Sequence, residues 1–143
     1  MKKVIIFLVI IAVVIAGIYY VYINYRAEYN SSIKANKAFE QYLNEEVYGP
    51  DLATIINRAM DENEKNKVQK DNKGIYLDNN TNSINIEVKM SDDNQIYKAE
   101  TFYNSGIQNF INYYRNIKFK CVDIKYHEST HKVKYMLFEQ LTE

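Results

Sequence analysis

The stretch VIIFLVIIAVVIAGIYYVYI, Val4 to Ile23, contains no charged side chain. Only two settings accommodate so long an apolar run, a buried core helix or a lipid bilayer. Twenty residues at about 1.5 Å each cover a hydrocarbon core of about 30 Å. Lys2 and Lys3 precede the run, and the next charge is Arg26. Tyr19, Tyr20, Tyr22 and Tyr25 gather at its far end, where amphipathic rings favour the headgroup layer. Lysines on one flank only fit a membrane span better than a core helix. The paired lysines hold the N-terminus in the cytoplasm. The expected organisation is residues 1–3 cytoplasmic, residues 4–25 a transmembrane anchor in the lipid bilayer, and residues 26–143 an extracytoplasmic domain of a single-pass cell-membrane protein.

A removable signal peptide would end near Val14-Ile15-Ala16. The apolar run continues for seven residues past Ala16, so an uncleaved anchor is expected. No cysteine lies near the segment, which excludes a lipoprotein signal.

The remainder has room for one domain. The chain holds 18 basic and 18 acidic residues; without Lys2 and Lys3 the outer part has 16 against 18. It is slightly acidic and has no basic face, so nucleic acid is not an expected partner. Cys121 is the single cysteine and cannot form an internal disulfide. Its surroundings read as a strand, where it serves as a small apolar residue. The chain favours Asn, Lys, Ile and Tyr, residues with AT-rich codons, which points to a low-GC bacterial genome. Asn30-Ser31-Ser32 and Asn79-Asn80-Thr81 match the glycosylation sequon, which carries no meaning in most bacteria.

Periodicity divides the outer part. Ala35, Ala38, Phe39, Tyr42, Leu43 and Val47 recur at helical spacing after a cap at Ser31 or Ser32, with Asn36 on the polar side. This predicts a helix over 31–48, ended by Gly49-Pro50. Leu52, Ile55, Ile56, Ala59 and Met60 predict a second helix over 51–66, capped by Asp51, with a solvated tail from Asp61 to Lys67. Then the period drops to two. Gly74 to Leu77 and the alternating Ile84, Ile86, Val88 and Met90 suggest a hairpin around Asp78-Asn79-Asn80-Thr81-Asn82-Ser83. Those acidic and amide residues lack the glycine and terminal glutamate of a calcium loop. Gln95 to Tyr103 leans to strand. Ile107, Phe110, Ile111 and Tyr114 predict a helix over 105–115. Phe119 to Tyr126 and Lys132 to Phe138 read as strands.

Both histidines of the chain fall in Tyr126-His127-Glu128-Ser129-Thr130-His131. His127, Glu128 and His131 form H-E-x-x-H, the spacing of zinc metalloproteases. There the motif is helical, so the i and i+4 imidazoles grip one ion and the glutamate acts as base. This resemblance would make His127 and His131 metal ligands and Glu128 the general base of a zinc-dependent hydrolase. The flanks are strand-like, however, and Ser129-Thr130 favours a turn. The long form of the motif would put glycine at 134 and a third, ligating histidine at 137, where this chain has Lys134 and Leu137. Glu139 and Glu143 lie in or beyond a strand. The expectation is a β-hairpin with exposed turn histidines at its tip. On it no metal, cofactor or catalytic set is expected. Cys121 and His127 are too far apart along a strand to act together.

The predicted fold class is α+β, with about three helices packed on a mostly antiparallel sheet behind a membrane helix. That plan resembles type IV pilins and pseudopilins. Their processing motif, a basic leader ending in glycine and an acid near the start of the apolar helix, is missing; Gly17 falls late and the first acid is Glu28. The expected role is a non-catalytic binding or assembly module at the cell surface, with a protein partner in the membrane or envelope. A zinc hydrolase and a pilin-like subunit are the alternatives.

Overall fold

The computed structural model of the chain describes residues 1–142. The chain divides into two compact units, Met1–Lys34 and Ala35–Glu143. Apart from Met1, the first unit is the N-terminal part of helix α1 (Lys2–Glu40). Every side chain from Val4 to Ile23 is exposed along it. This is the one helix among the described residues long and apolar enough to cross a membrane.

In the second unit α1 stops at Glu40 rather than continuing to residue 48. Leu43 bridges to Cys121, and Asn44 turns the backbone to φ +64°. The Asn44 N–H then donates to the Cys121 carbonyl (2.8 Å). The chain is thereby drawn into strand β1 (Glu46–Tyr48). Helical spacing at Leu43 and Val47 is lost because they gain cross-strand partners, Cys121 and Phe119, while Tyr42 lies in the turn between. Gly49 and Pro50 do not end a helix; they open α2 (Gly49–Lys65). Pro50 fits a first turn because its missing N–H would have no helical partner there. Asp51 therefore lies inside the first turn and is not the cap. Gly49 is required by space: an added Cβ would sit 2.1 Å from the Tyr114 carbonyl oxygen.

The segment after α2 forms no hairpin with β2 (Asn85–Lys89); residues 74–77 contribute only a bridge between Lys70 and Tyr76. Residues 95–103 split into β3 (Ile96–Lys98) and α3 (Ala99–Asn104). Gly106, at φ +96°, leads into α4 (Ile107–Tyr113), shorter than the 105–115 helix read from sequence. Strands β4 (Lys118–Tyr126) and β5 (Val133–Gln140) follow. The sheet order is β1-β4-β5-β2-β3. Its fold class is α+β as expected, but the sheet is mixed rather than mostly antiparallel, because β2 runs parallel to the central β5.

Register explains the core. Cys121, Phe138 and Val88 lie side by side across β4, β5 and β2, and Ile124, Met136 and Ile86 form the next row. Apart from the partly buried Ile124, these side chains are buried, together with Leu52, Ile55, Ile56, Ala59 and Met60 of α2. Phe110 meets Phe102, Tyr114 and Phe119 at ring separations of 4.8, 4.8 and 5.9 Å. Aromatic contacts of this geometry add about 0.5–1.5 kcal/mol each beyond burial. The alternate positions carry a half-buried polar lattice. Lys89 pairs with Glu139 (3.2 Å), the Tyr135 hydroxyl donates to Glu87 (2.8 Å), and Lys125 lies over the Tyr135 ring.

Candidate functional site

The H-E-x-x-H residues occupy the connection between β4 and β5, which pair antiparallel. The His127 N–H donates to Lys132 O, and the His131 N–H to His127 O, both at 2.9 Å. His131 takes φ +57°, a left-handed conformation that closes a turn and interrupts any helix. The stretch is the tip of a hairpin, as its flanks suggest.

The two histidines have different environments. His131 and Glu128 are exposed. His127 is not: the residue is 2% exposed, which corrects the expectation of an exposed turn histidine. Its Nε2 lies 2.7 Å from the Ser83 carbonyl. A carbonyl only accepts, so Nε2 carries the proton and donates. Nδ1 is sealed from solvent and has no partner. The ring nitrogen facing a polar group is thus already committed to the backbone. Among the described residues no three His, Cys, Asp or Glu side chains lie close enough together to hold a metal ion. Glu139, weighed as a distant ligand, pairs with Lys89, and Glu143 lies outside the described residues.

What the tip does touch is the loop 78–83. Ser129 Oγ donates to the Asn80 carbonyl (3.0 Å), and Thr130 Oγ1 donates to the Thr81 carbonyl. The loop also orders itself: Asn79 Oδ1 accepts from the N–H groups of Thr81, Asn82 and Ser83. Asp78 accepts from the Asn80 N–H and Ser83 Oγ and pairs with Lys134. The Lys134 ammonium, and after it the Asn80 N–H, hold the Asp78 carboxyl below the ordinary carboxylate range. The hydroxyls and the buried imidazole of HESTH therefore act as fasteners for this loop.

Two asparagines complete the fastening. Asn63 is fully buried in α2, where the sequence suggested a solvated tail. Its Nδ2 donates to the Ile84 carbonyl (2.8 Å), and its Oδ1 accepts from the Ile84 N–H (2.7 Å). Asn36, assigned from sequence to the polar side of its helix, is also buried. Its Nδ2 donates to the His131 carbonyl (2.7 Å) and its Oδ1 accepts from the Val133 N–H (2.9 Å). Both follow an apolar stripe at helical spacing, Ala59 and Met60 before Asn63, Phe39 after Asn36. That placement was the available signal.

A separate cavity of about 290 Å³, with a mixed polar and apolar lining, opens beside β2, with Asp78, Ile86, Lys98, Glu100, Lys134 and Tyr135 among its lining residues. Glu100, in the first turn of α3, is 2% exposed, and its Oε1 accepts from the Tyr76 N–H (3.2 Å). Burial, with Glu87 beside the hydroxyl, pushes the Tyr135 phenol well above its ordinary value. Cys121 is buried in β4, and that burial pushes its thiol up to about 11. It is therefore an inert core residue rather than a nucleophile.

No known protein family, curated protein or solved structure matches the chain.

Proposed function

We propose that the protein is a single-pass cell-membrane protein whose outer domain is a non-catalytic binding or assembly module. On this proposal residues 1–3 are cytoplasmic, residues 4–25 contact lipid, and residues 26–143 lie outside the cell. The exposed apolar helix carries it. Fourteen Val, Ile, Leu and Phe side chains between Val4 and Ile23 are exposed. At about 1.5–3 kcal/mol for each side chain buried, covering them is worth on the order of 20–40 kcal/mol. That exceeds the 5–15 kcal/mol stability of an ordinary domain. A bilayer supplies such a cover; water does not. Lys2 and Lys3 supply the orientation. The binding or assembly role is supported by the use of the one catalytic-looking motif, HESTH, to fasten a loop.

Comparison of the full chain with a chain lacking residues 1–26 tests the proposal. In cells, photo-crosslinking from the outer domain should give discrete protein adducts only with the anchored form, while circular dichroism shows the shortened form folded. Hydrolysis of a peptide library by the purified protein, abolished in Glu128→Gln, would overturn the non-catalytic assignment. Identical adducts with and without the anchor would overturn the anchored-assembly role.

A further inference from the structure

We propose that the cavity beside β2 binds a free amino acid, its ammonium held by Glu100 and its carboxylate by Lys98. This deepens the binding role above and rests on it only in that the domain binds rather than transforms; the anchor plays no part.

The cavity arises from unequal strand lengths. The pairing of β2 with β3 ends at Glu87 opposite Lys98, after which the chain turns into α3. Strand β2 extends back to Asn85, paired there only with Tyr135 of β5. The missing stretch of β3 leaves a gap next to Asn85 and Ile86, and Ile86, 1% exposed, gives it an apolar wall. At about 290 Å³ the space lies at the small end of ligand pockets, which run from about 300 to 1,000 Å³.

Charge decides what fits. Of the ionisable groups lining the gap, Asp78 is paired with Lys134, and Glu87 accepts from the Tyr135 hydroxyl. Two groups have no close charged partner. Glu100 is almost fully buried, yet it receives a single hydrogen bond, on Oε1. Its Oε2 has no partner and still is not sealed off; His127 Nδ1 is the sealed, unpartnered side-chain atom among the described residues. Oε2 thus keeps some accessible surface, and Glu100 lines the cavity. A buried carboxylate in this condition calls for a cationic hydrogen-bond donor. Lys98, two residues earlier, makes no ion pair within 4.0 Å with any described residue, and its charge reaches Asp71 only at longer range. A ligand carrying both an ammonium and a carboxylate satisfies both groups at once, and a small side chain can rest on Ile86. A plain amine leaves Lys98 without a close partner, and a plain carboxylate is repelled by Glu100.

The full chain, ¹⁵N-labelled in detergent micelles, should be titrated with glycine, L-alanine and L-lysine. N-acetylalanine and alanine methyl ester serve as probes lacking the ammonium and the carboxylate respectively. Saturable shifts are expected for at least one free amino acid at the amides of Tyr76, Ile86, Lys98 and Glu100, and none for N-acetylalanine. Loss of a charge-assisted hydrogen bond weakens binding about tenfold or more. Glu100→Gln should do so for the free amino acid, and Lys98→Ala should weaken the free amino acid but not the methyl ester. Should Glu100→Gln fail to fold, the exposed Lys98→Ala decides alone. Absence of saturable shifts at ligand on the order of 10 mM, or binding unaltered in Lys98→Ala, would overturn the proposal. Neither result bears on membrane anchoring, which is read by fractionation.

Discussion

Asn63 offers the sharpest test of how the loop is fastened to the helices. Its amide pairs with both polar groups of the Ile84 backbone, at 2.7 and 2.8 Å, in a fully buried setting. Asn63→Ala removes both bonds and strands a backbone N–H and C=O beneath α2. Each orphaned buried group costs about 1–3 kcal/mol, so the loss should be about 2–6 kcal/mol. That is a large part of the 5–15 kcal/mol typical of a domain. Asn36→Ala removes an outwardly similar pair of bonds, at 2.7 and 2.9 Å. There the carbonyl belongs to exposed His131, which water can reach, so only the Val133 N–H is stranded. Its cost should be about 1–3 kcal/mol. Urea unfolding of the full chain in detergent, followed by tyrosine near-ultraviolet circular dichroism, gives both values from the midpoints at constant slope. Asn63→Ala within 1 kcal/mol of wild type, or less costly than Asn36→Ala, would refute the reasoning.

Three other outcomes are expected. Gly49→Ala, which sets a Cβ against the Tyr114 carbonyl, should cost about 1–3 kcal/mol or more by the same unfolding assay. Asp78 has a lowered folded-state pKa, so its contribution is complete above the unfolded value, about 3.9, and is lost as pH falls from there toward the folded value. Lys134→Ala removes the main cause of that shift; stability against pH below about 4 should then fall less steeply, and stability at neutral pH should drop by no more than about 1 kcal/mol. Cys121, buried and with its thiol pushed up to about 11, should resist a thiol reagent at pH 7.5 in the folded chain and react on unfolding, checked by mass spectrometry.

The elements with long, strong periods were legible in the sequence. Leu52, Ile55, Ile56, Ala59 and Met60 mark α2 because the helical repeat brings them to one face. The strands around HESTH were legible from their alternation and β-branched density. Boundaries set by tertiary contacts were not. The helical spacing of Leu43 and Val47 gives way to bridging at Cys121 and pairing with Phe119. The parallel pairing of β2 with β5 joins residues about 50 positions apart, and alternation within each strand carries no record of its partner. Of the candidate site, the hairpin was legible and the buried His127 was not. Its neighbours Glu128, Ser129 and Thr130 are polar, and its cover is the distant loop at Ser83. The same holds for the cavity, since Lys98 and Glu100 reach Asn85 and Ile86 only through the pairing of β3 with β2 and the turn into α3.

The most direct test of the account is the topology of the full chain in cells. A C-terminally tagged form should pellet with membranes and resist extraction at alkaline pH. In intact spheroplasts, external protease should remove the tag, while in inverted vesicles the tag should survive. A soluble, alkali-extractable protein, or a tag protected in spheroplasts and cleaved in inverted vesicles, would contradict the proposed anchor and its orientation.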